Sequence, residues 1–203
     1  VGLMEVDQGD IYYDNIPFNN LARKEKQSMR SKMGMLFQGG ALFDSLNVEE
    51  NIMFPLNMFT NDSIKDKRNR VSFCLDRVGL ENVASLMPAE LSGGMKKRVA
   101  IARAISISPN YLFADEPNSG LDPKTAIKID ALIKEITEEY NITTIVNSHD
   151  MNSVLEIGDT VNYLHNGQVH WSGSKKDVLD SNNTELSNFV FASSMAKHLK
   201  HKT

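Results

Sequence analysis

Residues 111–149 set two apolar runs, YLFADE and ITTIVNSH, on either side of an amphipathic stretch, PKTAIKIDALIKEITEEY. That order constrains the fold more than any other feature. Runs of this kind are what strands buried on both faces of a parallel sheet require. The segment between them places Ile129, Ile133 and Ile136 on one helical stripe. Strand, helix, strand in succession predicts an α/β fold built on a parallel sheet.

The rest of the chain fits around that unit. GDIYYDN (residues 9–15) reads as a short strand, and MGMLFQ (33–38) as a second apolar strand closed by Gly39 and Gly40. From NVEENIMFPL to CLDRVGL the pattern turns helical, with NDSIKDKRNR as a solvated stretch. LSGGMKKRVAIARAIS opens on Ser92 and two glycines and continues as a helix, with Met95, Val99, Ala102 and Ile105 at apolar spacing. VNYLHNGQVHWSG predicts a hairpin turning at Asn166–Gly167. Residues 49–106 therefore read as a helical subdomain inserted into an α/β core of residues 1–48 and 107–203, and KHLKHKT as a basic tail.

The formal net charge of −4 over 203 residues argues against broad electrostatic binding to nucleic acid, which needs a basic face. Cys74 is the sole cysteine, so no intrachain disulfide forms, and a small buried apolar role is expected for it. No apolar run approaches the ~18 residues of a membrane span, so contact with a membrane is expected to go through a partner. His165, His170, His198 and His201 show no metal-ligand spacing and read as surface residues.

The chemistry gathers at strand ends. Asp115 and Glu116 stand at the C-terminal end of the first apolar run, where open α/β sheets bind ligands. One acid there can hold Mg²⁺ through water, and its neighbour can orient or deprotonate an attacking water. Taken alone, two acids before a proline are as readily a solvated strand end. Ser92 with the N–H groups of Gly93 and Gly94, at a helix start, could face an anion. Gln38 closes one strand and His149 another, each by itself an ordinary polar residue.

Together, and with SGLD at Ser119 to Asp122, these stretches resemble the ATP-binding cassette (ABC) ATPases over essentially the whole chain. The resemblance implies a P-loop NTPase (RecA-like) core with an inserted helical subdomain, using ATP and Mg²⁺. It implies that Gln38 is the Q-loop glutamine, coupled with Asp115 to Mg²⁺, and that Glu116 is the catalytic base. His149 matches the switch histidine at the γ-phosphate. Leu91, Ser92, Gly93 and Gly94 match the signature that grips ATP held by an opposite, head-to-tail second copy. Ser119, Gly120, Leu121 and Asp122 match the D-loop. The further partner implied is an integral membrane permease, docking near Gln38 against the apolar stretch from Ala41 to Pro55, with the subunit cytoplasmic and peripheral to the inner membrane.

MLFQGGALFDSLNVEENIMFPL and LSGGMKKR, with Met95 where many members carry glutamine, are similar to ATPases of Mla/Mce-type lipid transporters. An importer of polar nutrients such as amino acids and a soluble ABC protein without a permease are the alternatives. The phosphate-binding motif G-x-x-x-x-G-K-[ST] does not occur in these residues. The resemblance places it upstream of Val1, so an N-terminally truncated chain is expected, unable to hydrolyse ATP alone and with Ile11 and Leu36 poorly covered.

Overall fold

A computed structural model describes residues 1–191. They form two compact units, one from Val1 to Asn147 and one beginning at Ser148.

The first unit is built on a three-stranded parallel sheet, ordered β3 (Met33–Leu36), β4 (Tyr111–Asp115), β5 (Thr143–Asn147). Leu36 pairs with Ala114, and Asp115 with Asn147. Because side chains alternate across a strand, Gly34, Leu36, Leu112, Ala114 and Thr144 share one face. Helix α4 (Gly93–Ile105) lies on that face so closely that a Cβ on Gly34 would meet the Ala104 carbonyl oxygen at 2.5 Å. Helix α5 (Pro123–Glu139) covers the same face, its Thr137 hydroxyl 2.7 Å from that of Thr144. The predicted stripe of Ile129, Ile133 and Ile136 is fully buried, as amphipathic spacing demands.

On the opposite face Met33 and Tyr111 join Tyr13, Phe18 and Met29 in a second cluster, with Tyr13 edge-on to Tyr111 at 5.1 Å. The expected short strand at GDIYYDN is instead a tight hairpin. Strands β1 (Tyr12–Tyr13) and β2 (Ile16–Pro17) turn at Asp14 and Asn15, both left-handed at φ 47° and 66°. Asp and Asn tolerate that conformation better than other side-chain-bearing residues. The Tyr111 hydroxyl bonds the Asp14 carboxylate and so ties the turn to β4.

Two expectations are corrected here. Leu36 is fully buried, because its face is the one α4 covers; Ile11 is half-buried against the Tyr13 cluster. ITTIVNSH is not a strand buried on both sides: β5 alternates exposed and half-buried residues, and Ile145 is 58% exposed. It pairs with β4 alone among the described residues, and α5 covers only its other face.

Helices α1 (Arg23–Arg30), α2 (Val48–Phe59) and α3 (Ile64–Arg77) complete the first unit, with α2, α3 and α4 packed on one another. Asn47 and Glu50 cap α2 reciprocally, at 2.8 and 2.9 Å. The fully buried Asn51 staples the preceding loop: its amide donates to the carbonyls of Phe43, Leu46 and Asn47, and its oxygen accepts the Phe43 N–H.

The second unit contains α6 (Met151–Ile157), the antiparallel pair β6 (Thr160–His165) and β7 (Gln168–Ser174), and α7 (Thr184–Val190). The pair turns at Asn166–Gly167, at φ 49° and 74°, as the Asn-Gly dipeptide predicts. Val178, Leu186 and Val190 form its core, flanked by Tyr163 and Trp171. His165 is half-buried and His170 exposed, while His198, His201 and the KHLKHKT tail lie outside the described residues.

Candidate functional site

Asp115 is the last residue of β4, and its partner across the sheet, Asn147, is the last of β5. Asn147 Nδ2 donates to Asp115 Oδ1 at 2.8 Å. Glu116 leaves the strand at φ 47°, left-handed for a residue with a side chain. Such a conformation persists only where its surroundings over-determine it. Here the Glu116 N–H donates to the Asn147 carbonyl at 2.8 Å, and the Glu116 carbonyl accepts from Ser119 N–H at 3.1 Å and Lys97 Nζ at 3.1 Å. Behind the turn, the buried Asn118 donates to Asp130 of α5 at 3.3 Å.

The SGLD stretch follows directly. Asp122 caps α5, accepting the Thr125 N–H at 3.1 Å. Hydrogen bonds from the Thr125 side chain and backbone hold its carboxyl below the ordinary aspartate value. Ser92 caps α4 in the same way, its hydroxyl accepting the Met95 N–H at 3.3 Å. The two helix starts meet. Ser92, Gly93 and Gly94 line a cleft of about 390 Å³ together with Gly120, Leu121 and Asp122. Gly94 approaches Thr125 so closely that a Cβ on it would lie 2.9 Å from the threonine methyl, which explains why glycine stands there. Leu91, by contrast, is buried behind the cleft.

Gln38 lies two residues beyond the end of β3 and is exposed. Its loop is held by α4: Lys97 Nζ donates to the Gln38 carbonyl, while Arg103 donates to Gly40 at 2.6 Å and Ala41 at 2.7 Å. Both cations are buried, 5% and 8% exposed. Burial pushes the Lys97 ammonium below the ordinary lysine value, against the opposing pull of Glu116 and Asp115. Burial lowers Arg103 likewise.

The first unit thus gathers Gln38, Asp115 and Glu116 around Lys97, and Ser92–Gly94 and Gly120–Asp122 around one cleft, with Leu91 and Ser119 outside it. His149 falls in the second unit, directly before Asp150, which caps α6 by accepting the Asn152 N–H at 2.9 Å. Lys97, Arg103 and Asn147 were not singled out by the sequence. A signal for the first existed: Lys97 falls on the stripe of Ile101 and Ala104, where a charge must be buried. Arg103 is the lone charge in VAIARAI.

A divalent metal can be weighed against these donors. Asp115 and Gln38 offer oxygen, and one Asp115 oxygen is oriented by Asn147. Among the described residues no three His, Cys, Asp or Glu gather into a metal cluster. Oxygen donors with few carboxylates fit Mg²⁺, which keeps waters and substrate phosphates in its shell.

A family model described as ABC transporter matches residues 1–119, more than half of the chain. The chain belongs to the ABC transporter family. Solved members of the family are ATP-binding cassettes, one of them in a post-hydrolysis state. The ABC protein MlaF of Haemophilus influenzae, an intermembrane phospholipid transport system ATP-binding protein, is 38% identical over 189 residues, 93% of this chain and 72% of MlaF. The methionine import ATP-binding protein MetN of Carboxydothermus hydrogenoformans is 40% identical over 179 residues, 87% of this chain and 52% of MetN. The chain therefore spans about half the length of the methionine importer's subunit. Among solved structures, the dimeric ABC cassette MJ0796, in a post-hydrolysis state bound to ADP and Pi, is 36% identical with a TM-score of 0.76. That match covers 85% of this chain and 76% of the cassette, and the α/β cassette expected from the sequence is its fold. No helix among the described residues is long and apolar enough to cross a membrane.

Proposed function

We propose that this ABC subunit hydrolyses ATP at a site shared with a second copy, and that the transporter it drives moves phospholipid. The observation that carries the first part is the common cleft of Ser92–Gly94 and Gly120–Asp122, with the acid pair at the end of the adjoining β4. Glu116, on its over-determined turn, takes the role of general base, orienting and deprotonating the attacking water. Ser92 and the Gly93 and Gly94 amides, at the positive end of α4, grip phosphate of ATP held by the opposite copy. Asp115 and Gln38 would hold Mg²⁺, which when bound neutralises charge on the transferring phosphate. His149 serves as the switch contact to the γ-phosphate. Residues 49–106 act as the signature-bearing subdomain, and the half-exposed Phe43 and Phe54, whose rings lie 4.7 Å apart, contribute to permease docking on the cytoplasmic side.

The lipid reading rests on the extent of the MlaF match, 72% of that protein against 52% of MetN, together with the LSGGMKKR wording. The 40% identity to MetN favours methionine or a similar polar cargo as the second reading. Reconstituting the full-length subunit with its permease separates them. ATP-dependent transfer of labelled phospholipid between vesicles supports the lipid cargo; ATP-dependent uptake of methionine without lipid transfer rejects it.

A further inference from the structure

Lys97 donates to two backbone carbonyls, Gln38 on the loop after β3 and Glu116 on the turn after β4. We propose that Lys97 is a positioning residue that fixes the backbone of the catalytic base Glu116 against the Gln38 loop. The inference rests on the ATPase reading for its catalytic consequence, but not for its structural one.

Three observations carry it. The strands leading to the two carbonyls are paired at Leu36 and Ala114, so one ammonium can span both exits. Glu116 sits at φ 47°, a conformation that persists only where its surroundings hold it, and Lys97 joins Asn147 and Ser119 in bonding its backbone. The same helix grips the Gln38 loop a second time through Arg103, at Gly40 and Ala41, themselves left-handed at φ 79° and 45°. A buried ammonium is expensive to desolvate, and replacing it with an apolar side chain would take this donor from the Gln38 carbonyl and leave the Glu116 carbonyl to the Ser119 N–H.

The test compares Lys97→Met, which keeps the stem and removes the donor, with Lys97→Gln, which keeps a donor, in the full-length protein. Hydrogen exchange is read at the Gly40 and Ser119 amides, whose own bonds close the two turns. Steady-state ATP turnover is measured alongside, in the wild-type and Glu116→Gln backgrounds. Exchange at both amides should rise roughly fivefold or more in Lys97→Met and by an intermediate amount in Lys97→Gln. The kcat should fall about 10²-fold in Lys97→Met with KM nearly unchanged, and the loss should largely vanish once Glu116 is already Gln. Unchanged exchange in both variants, or a full additional loss on top of Glu116→Gln, overturns the proposal. Where Lys97→Met does not fold, the absence of any rise in Lys97→Gln does the same. A wild-type protein without turnover, whose exchange still responds to Lys97, counts against the ATPase reading and leaves the positioning role standing.

Discussion

Asn147 serves both acids of the pair: its side-chain amide donates to Asp115 at 2.8 Å, and its carbonyl accepts the Glu116 N–H at 2.8 Å. The two contacts are separable, because only the first depends on the side chain. Asn147→Ala should therefore loosen Asp115 and leave the Glu116 turn intact. We expect a stability loss of about 1 kcal/mol and a three- to tenfold rise, to order of magnitude, in the Mg²⁺ concentration for half-maximal turnover. Urea unfolding and a Mg²⁺ titration of ATPase activity check the pair of effects; a kcat loss at saturating Mg²⁺ would place the contact elsewhere in the mechanism.

Arg103 closes the Gln38 loop through two carbonyls, at 2.6 and 2.7 Å, and lies 5.9 Å from the Phe43 ring. Arg103→Met strips donors from the buried Gly40 carbonyl and the part-buried Ala41 carbonyl and should destabilise the protein by about 2–4 kcal/mol. Arg103→Lys should recover only part of that, because an ammonium lacks the planar fork that reaches both oxygens. Denaturant unfolding of the two variants measures the difference.

Asp122 links helix capping to pH. Its folded carboxyl titrates below the ordinary aspartate value because the Thr125 side chain and amide hydrogen-bond the charged form. The stabilisation is complete above the unfolded value near 3.9 and is lost as pH falls through the depressed folded value. In Asp122→Asn, which still caps but does not titrate, the decline in urea midpoint below about pH 4 should be shallower than in the wild type. Identical acid limbs would show that the cap carries no proton linkage.

Cys74 is fully buried in α3, and burial pushes its thiol up to about 11. It should remain unmodified by a thiol reagent in the folded protein at pH 8 and react once urea unfolds the chain. Rapid labelling of folded protein would show that α3 opens on the labelling timescale.

The parallel unit was legible because its signals are local. YLFADE became β4, the isoleucine stripe became the buried side of α5, and Asn166–Gly167 became the predicted turn. β5 misled because an apolar composition does not tell how many neighbours a strand acquires; Ile145 is exposed on a face that α5 does not reach. The stretch to Gln38 read as one strand, yet pairing stops at Leu36, where the loop passes to the buried cations of α4. Those cations were the larger omission. Charges in KKR and ARAI read as solvated by type, and only the tertiary approach of two loops gives Lys97 and Arg103 their carbonyls. The cap that the Ser92 hydroxyl gives its own helix was legible too, since serine before two glycines and an apolar-periodic run is a helix-start signal.

The measurement that bears most directly on the central claim is single-turnover hydrolysis by the full-length Glu116→Gln variant, with ATP binding followed in parallel. Loss of a general base predicts hydrolysis slowed roughly 10²–10⁴-fold with binding retained. Hydrolysis close to the wild-type rate, or binding lost in proportion to hydrolysis, would contradict the role assigned to Glu116.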